Sequence, residues 1–245
     1  QSSKGAAEEM KSLTINNKTP LPYSTREGLN RLRINFNFCG DQYKKVLITS
    51  STPDEGKSFV SYNLWRMLAE SGKKVVLVDA DLRRSVMHVR WQFTLDSKER
   101  NPQGLAHYLA GNASLDDVTY KTDLDTGFII PTFRTIANPT LLLQSDRFQQ
   151  LLDRLGQEYD VVLVDTPPLG SVADGLQIAA HCDGAILVVR GGVTPRRIIS
   201  SSLMQLKSIN CPVLGTVLNR VKMENSPYYY KYARYGYYSN YTSNN

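Results

Sequence analysis

Val46-Leu47-Ile48-Thr49-Ser50-Ser51-Thr52-Pro53-Asp54-Glu55-Gly56-Lys57-Ser58 is the stretch on which the reading of this chain turns. Four residues with apolar or β-branched side chains run into a small-residue loop, and Gly56-Lys57-Ser58 then opens a new segment. This is the layout of a phosphate-binding loop between a buried parallel strand and a helix. Backbone N–H groups at such a helix start cradle phosphates, helped by the positive end of the helix dipole. In that reading Thr52, Pro53, Asp54, Glu55, Gly56, Lys57, Ser58 and Phe59 surround the nucleotide. Lys57 reaches the terminal phosphates and the Ser58 hydroxyl sits on Mg²⁺. The pattern G-x-x-x-x-G-K-[ST] has one departure, Ser51 at the first glycine position.

Working outward, two more apolar runs end in carboxylates. Val75-Val76-Leu77-Val78 delivers Asp79-Ala80-Asp81-Leu82-Arg83-Arg84, and Val161-Val162-Leu163-Val164 delivers Asp165-Thr166-Pro167-Pro168. Continuous β-branched runs of this length mark strands buried on both faces. Further strands are expected at Phe128–Pro131, Ala185–Val189 and Val213–Leu218. Helices are expected at about 26–38, from Lys57 to about Glu70, at Gly104–Leu109, from Ser145 or Asp146 to about Leu155, and at 172–181 and 195–209. Residues 86–103 read as irregular and residues 1–25 as a polar arm. The alternation gives an α/β fold: a doubly wound, mainly parallel sheet with helices on both faces, of the P-loop NTPase kind.

In such a sheet ligands bind beyond the carboxyl ends of the strands, so the loop and Asp79, Asp81 and Asp165 converge on one edge. Mg²⁺ prefers hard oxygen ligands, which Ser58, Asp81 and Asp165 supply. Asp79 is then the candidate to take a proton from an attacking hydroxyl, although the roles of Asp79 and Asp81 are interchangeable at this level. Arg83 and Arg84 are placed to meet nucleotide phosphate or a neighbouring subunit.

Composition narrows the class. The 245 residues are 41% hydrophobic and 21% charged, with 29 Lys and Arg against 23 Asp and Glu, a net charge of +6. No apolar run reaches the roughly 18 residues that a bilayer span requires, and no signal peptide is evident. Neither zinc-finger spacing nor a basic aromatic platform supports nucleic-acid binding. Cys39, Cys182 and Cys211 are widely spaced, as expected of free thiols in a reducing compartment. The last stretch stands apart. Tyr228, Tyr229, Tyr230, Tyr232, Tyr235, Tyr237, Tyr238 and Tyr241 are eight of the fourteen tyrosines, and residues 228–245 contain no Val, Ile, Leu or Phe. This composition builds no core and reads as a flexible C-terminal tail from about residue 223, after a P-loop domain over 26–222.

VVLVDADLRR (75–84) and VVLVDTPPLG (161–170) resemble the Walker A′ and Walker B segments of bacterial tyrosine kinases, and residues 137–160 and 215–221 are similar to the same family. The resemblance spans roughly residues 27–241. It implies an ATP- and Mg²⁺-dependent protein-tyrosine kinase that phosphorylates its own C-terminal tyrosine cluster between subunits of a homo-oligomeric ring. It further implies a role in capsule or exopolysaccharide polymerisation and export. The expected partners are a membrane-spanning chain-length-control region, in the same chain or another, and a protein-tyrosine phosphatase. The expected location is that of a cytoplasmic domain of an inner-membrane protein. Asn219 falls where relatives contact adenine. One departure bears on the ring: the family's Glu-x-x-Arg-x-x-Arg helix motif is here Glu27, Asn30 and Arg33, with Arg31 one place along.

Each phosphotyrosine adds roughly −1.5 to −2 charges, so eight sites swing the tail by roughly −12 to −16, enough to switch association. Two other readings share the fold. One is a partitioning or septum-site (ParA/MinD-like) ATPase switch without kinase activity, against which count Ser51-Thr52 in place of that group's early lysine, and the tyrosine tail. The other is a non-catalytic ATP-binding adaptor for a membrane transporter.

Overall fold

In a computed structural model, residues 10–95 and 101–221 are described. The tyrosine cluster at 228–241 lies outside the described residues. In chain order the elements are β1 (Leu13–Ile15), α1 (Tyr23–Phe38), β2 (Lys45–Ser50), α2 (Lys57–Glu70), β3 (Val75–Asp79), α3 (Met87–Arg90), β4 (Phe93–Leu95), α4 (Leu105–Leu109), α5 (Leu115–Val118), β5 (Tyr120–Lys121), β6 (Gly127–Ile130), α6 (Thr140–Leu143), α7 (Asp146–Glu158), β7 (Val161–Asp165), α8 (Asp174–Ala179), β8 (Gly184–Arg190), α9 (Arg196–Ser208) and β9 (Val213–Asn219).

The sheet has the order β5-β6-β3-β7-β2-β8-β9, and every pairing in it is parallel except that of β5 with β6. The apolar runs explain why it is covered on both sides. Successive side chains of a strand point to opposite faces, so Val46, Ile48, Val75, Leu77, Val161 and Leu163 pack with Phe36 of α1 and with Val60, Leu64, Trp65 and Leu68 of α2. Leu47, Val76, Val78, Val162 and Val164 face the other way, onto Phe148, Leu151, Leu152 and Leu155 of α7 and Ile178 of α8. All the side chains just named are buried. Two cores thus clamp one sheet, and the strand ends are held by packing rather than by the loops that follow them.

Chain order reverses at β2, which lies between β7 and β8 although β3 follows it in sequence. Crossovers leave to both sides from that point and open a crevice beyond its carboxyl end. The loop of residues 51–56 sits there.

Two expectations are corrected. The 1–25 segment is polar, but it is not simply an arm: Leu13 and Ile15 are buried, β1 pairs antiparallel with β4, and α1 starts at Tyr23 rather than 26. The irregular 86–103 stretch contains α3 and β4. Both corrections have one cause, since Leu13 pairs with Leu95 and the Asn16 amide donates to the Gln92 carbonyl at 2.7 Å. A three-residue strand shows no periodicity of its own and is stabilised only by its distant partner. Among the described residues no helix is long and apolar enough to cross a membrane.

Candidate active site

The loop is shaped by residues that do not line its cleft. Glu55 is buried. Its carboxylate accepts from the Thr52 N–H at 2.8 Å, the Arg190 N–H at 3.1 Å and the Thr194 hydroxyl, tying the loop to the end of β8. The Asn219 side-chain amide donates to the Glu55 carbonyl at 2.8 Å, tying it to the end of β9. The left-handed turns fall on Asp54 (φ 62°) and Gly56 (φ 94°). A Cβ on Gly56 would stand 2.1 Å from the Asn219 amide nitrogen, so this glycine is required on both conformational and steric grounds.

Ser51 is not among the positive-φ residues, which explains why glycine is dispensable there. Its buried hydroxyl accepts from Ser202 at 2.9 Å. The close approach at this position is made by Gly170, whose added Cβ would meet the Ser51 carbonyl oxygen at 2.5 Å.

Helix α2 begins at Lys57 with no side-chain cap on its N-terminus. Its first N–H groups and positive dipole end therefore face the cleft without a carboxylate or hydroxyl of the described residues to satisfy them. The cleft holds about 230 Å³, and Pro53, Asp54, Gly56, Lys57, Ser58 and Phe59 form its floor. Thr52, Glu55 and Asn219, grouped with the nucleotide contacts on sequence grounds, do not line it: Glu55 and Asn219 brace the loop from behind, and the Thr52 N–H is turned onto Glu55.

Parallel pairing sets Asp79 directly opposite Asp165, and Ile48 opposite Asp165 on the other side. The three groups expected on one edge are thereby neighbours. The Lys57 ammonium lies 3.0 Å from Asp81 Oδ2 and 3.9 Å from Asp165 Oδ2. Ser58 donates to Asp165 Oδ2 at 2.7 Å, and Ser61, one helical turn on, donates to Asp165 Oδ1 at 2.8 Å. Ser61 went unnoticed in the sequence, although residues three apart on a helix share a face. Asp81 also lines the cleft, and its Oδ1 accepts the Arg84 N–H at 3.0 Å. Asp79 lies behind it, fully buried, accepting from the Ser85 hydroxyl on Oδ2 and, among the described residues, from nothing on Oδ1.

Three carboxylates around one ammonium leave a negative surplus. Burial, then the charge of Asp165, pushes the Asp79 carboxyl up to about 8, against the opposing pull of the Ser85 hydroxyl. Burial also raises Asp165, against the Lys57 charge and the two serine hydroxyls. Burial alone would lower Lys57, but Asp165 and Asp81 outweigh it and hold the ammonium above its ordinary range.

Arg83 is committed elsewhere. Its guanidinium pairs with the buried carboxylate of Asp174 at 2.5 Å and donates to the Ala137 carbonyl at 3.0 Å and to Thr140 at 3.1 Å. It joins the segment after β3 to α6 and α8, and its pKa is raised chiefly by the Asp174 hydrogen bond.

Comparison with known proteins agrees with this geometry. A family profile described as an AAA domain matches residues 44–189. Tyrosine-protein kinase CpsD of Streptococcus agalactiae is 35% identical over 222 residues, covering 91% of this chain and 94% of that protein. The chain belongs to the bacterial tyrosine-protein kinases. The kinase domain of Escherichia coli tyrosine kinase ETK superposes with a TM-score of 0.71 at 32% identity, covering 80% of this chain and 77% of that one. The septum site-determining protein MinD of Pyrococcus horikoshii, solved with Mg-ADP, superposes at 0.61 with 26% identity over 73% and 71%. The fold is that of nucleotide-binding P-loop proteins, and within this family it serves tyrosine kinases.

Proposed function

We propose that this kinase transfers the γ-phosphoryl group of ATP to tyrosines of its own cluster at 228–241. The observation that carries the reading is the parallel register of β3 and β7. It sets Asp79 beside Asp165, with Asp81 just beyond β3 and Lys57 and Ser58 at the end of the loop facing them.

Phosphoryl transfer is mostly positioning and charge stabilisation, with little covalent work for the protein. The free N-terminus of α2 and Lys57 bind and orient the phosphates. The tyrosine oxygen forms a bond to the γ-phosphorus, the bond to the β–γ bridging oxygen breaks, and ADP leaves with that electron pair. Asp79 takes the phenolic proton in its ionised form, which is the minor form below pH 8 but, with the pKa raised to about 8, a far better base than an ordinary carboxylate. Asp81 is the second reading for that role, since it faces the cleft itself.

The donor set fits a hard divalent cation: hydroxyl and carboxylate oxygens of Ser58, Asp81 and Asp165, gathered around a positive charge, with an unsatisfied buried oxygen on Asp79. Ser58, Asp81 and Asp165 would hold Mg²⁺, which would supply charge neutralisation for phosphoryl transfer. Asn219 contributes by bracing the loop, and its reading as an adenine contact joins the proposal on family grounds.

Transfer between subunits completes the proposal. The tail leaves the described fold after Val221, whose side chain lies against Gly191 near the loop's own anchor on β8. The groove between α1 and α2, lined by Arg26, Glu27, Asn30, Arg33 and Glu70, is the candidate subunit contact, although Arg33 there bonds Asn30 at 3.0 Å. Regulation of capsule or exopolysaccharide export, a membrane-spanning partner region, a cytoplasmic-face location and reversal by a phosphatase extend the same proposal.

Incubation with Mg-ATP followed by intact-mass analysis tests it. Multiple additions of phosphate on 228–241 that vanish in Lys57→Met are expected. ATP turnover with an unmodified tail would make the chain a switch of the MinD kind instead. An inactive Lys57→Met chain that stays unphosphorylated when mixed with an active, tail-deleted copy would overturn transfer between subunits.

A further inference from the structure

The outer wall of the cleft carries cations that the phosphoryl-transfer chemistry above does not use. Arg84, Arg90 and Arg220 all line it, and none of the three takes part in an ion pair among the described residues. Arg83, their neighbour, shows the contrast, being fully engaged by Asp174. The Arg90 guanidinium lies over two aromatic rings, 5.4 Å from the centroid of Phe59 and 5.3 Å from that of Trp91. The two cation–π contacts favour this placement of the guanidinium. Burial, then the charge of Arg220, lowers the Arg90 pKa, so the two cations feel each other. Arg220 is itself held in a left-handed backbone conformation, φ 54°, which a branched or long side chain adopts at a cost.

All three arginines are exposed along a cleft whose Asp81 is already paired with Lys57, and a dianion bound between them relieves the repulsion of the like charges. Arg forks match a phosphate group in geometry as well as in charge. The nucleotide's phosphates are already served by Lys57 and the N-terminus of α2, which lie on a different element from Arg90 on α3 and Arg220 after β9. Phe59, beneath Arg90, also lines the cleft and brings an aromatic ring beside the cations. A phosphate joined to an aromatic ring uses both features, and this chain carries the means to make one. In the sequence, successive tyrosines of the cluster are separated by one to three positions. A phosphotyrosine therefore stands roughly 3–10 Å along an extended chain from the next target, a span that fits within one cleft.

We propose that Arg90 and Arg220, with Arg84, form an acceptor-side subsite for phosphotyrosine. A tyrosine segment that already carries one phosphate is then a better substrate than an unmodified one. Phosphorylation of the cluster becomes self-promoting: the first phosphate is slow and its neighbours follow faster. This rests on the kinase reading above.

The test uses the full chain and two synthetic peptides of residues 228–245, one unmodified and one with phosphotyrosine at 237. Transfer to each peptide is followed by mass, and binding of each is followed by fluorescence anisotropy without nucleotide. The expected result is a KM about ten-fold lower for the phosphorylated peptide, with a matching difference in Kd. In Arg90→Gln/Arg220→Gln both ratios fall to near one. Arg90→Lys, which keeps the charge but loses the fork, retains part of the preference. Thermal melts of the variants confirm that they fold. Equal KM values for the two peptides with the unaltered protein overturn the subsite while leaving the kinase standing. Loss of fluorescent ATP analogue binding in the double variant, with the peptide ratio unchanged, also overturns it and assigns the arginines to the nucleotide. Selective phosphopeptide binding without transfer to either peptide leaves the subsite standing and removes the kinase reading.

Discussion

Asp79→Asn offers the most quantitative test of the site. Asp79 is fully buried, with one carboxylate oxygen bonded to Ser85 and the other unsatisfied, and its pKa is pushed up to about 8. In the unfolded chain an aspartate titrates near 3.9. Between roughly pH 4 and pH 8 the folded protein thus keeps a proton that the unfolded chain releases. The unfolded state binds fewer protons there, so stability falls as pH rises, by about 1.4 kcal/mol per pH unit for one group. The full contribution is present below about pH 4 and is lost by about pH 8, an upper bound of about 5 kcal/mol over four units.

Asparagine has the same shape and does not titrate, so the variant should gain on the parent as pH rises. Its amide can leave a donor unpaired at the Oδ1 position, which costs about 1–3 kcal/mol at every pH. The slope of the difference, not its intercept, is therefore the readout. Urea unfolding at pH 5, 6, 7 and 8, with chelator and without nucleotide, gives that slope. A stability difference that stays flat across this range would show that Asp79 is ionised throughout, and would remove the basis for its role as a tuned base. The same variant should abolish tail phosphorylation.

Gly170→Ala drives a Cβ to 2.5 Å from the Ser51 carbonyl oxygen, a backbone atom that cannot swing aside. A loss of about 1–3 kcal/mol in chemical denaturation is expected, with weakened nucleotide binding. Gly156→Ala is its opposite: the position lies in α7, and the new methyl meets only the Lys45 side chain at 3.6 Å. It should raise the melting temperature by an amount corresponding to about 0.5–1 kcal/mol. Asn219→Ala removes the brace on the Glu55 carbonyl. Nucleotide affinity measured by titration should fall about ten-fold, with little change in melting temperature. Ser61→Ala deprives Asp165 of one of its two serine hydroxyls. The expected result is a Mg²⁺ concentration for half-maximal activity that shifts several-fold, with the nucleotide-free fold intact.

Sequence alone determined the parts that rest on local pattern. Runs such as 75–78 and 161–164 are long enough to span the sheet and apolar on both faces, so their strands and the carboxylates at their ends were legible. The Gly-Lys-Ser turn fixed the start of α2 in the same way. Tertiary structure decided what depends on distant pairing. The short strands β1 and β4 exist because Leu13 finds Leu95. Ser51 replaces glycine without penalty because Gly170 makes the close approach and Ser202 takes up the hydroxyl. Glu55 looks like a ligand contact in the sequence, yet its carboxylate ties the loop to β8, and Asn219, proposed as an adenine contact on family grounds, also braces the loop through the Glu55 carbonyl. The arginines of the outer wall come from the segment after β3, from α3 and from beyond β9, the last more than a hundred residues from the others, and only the folded sheet brings their charges into one cleft.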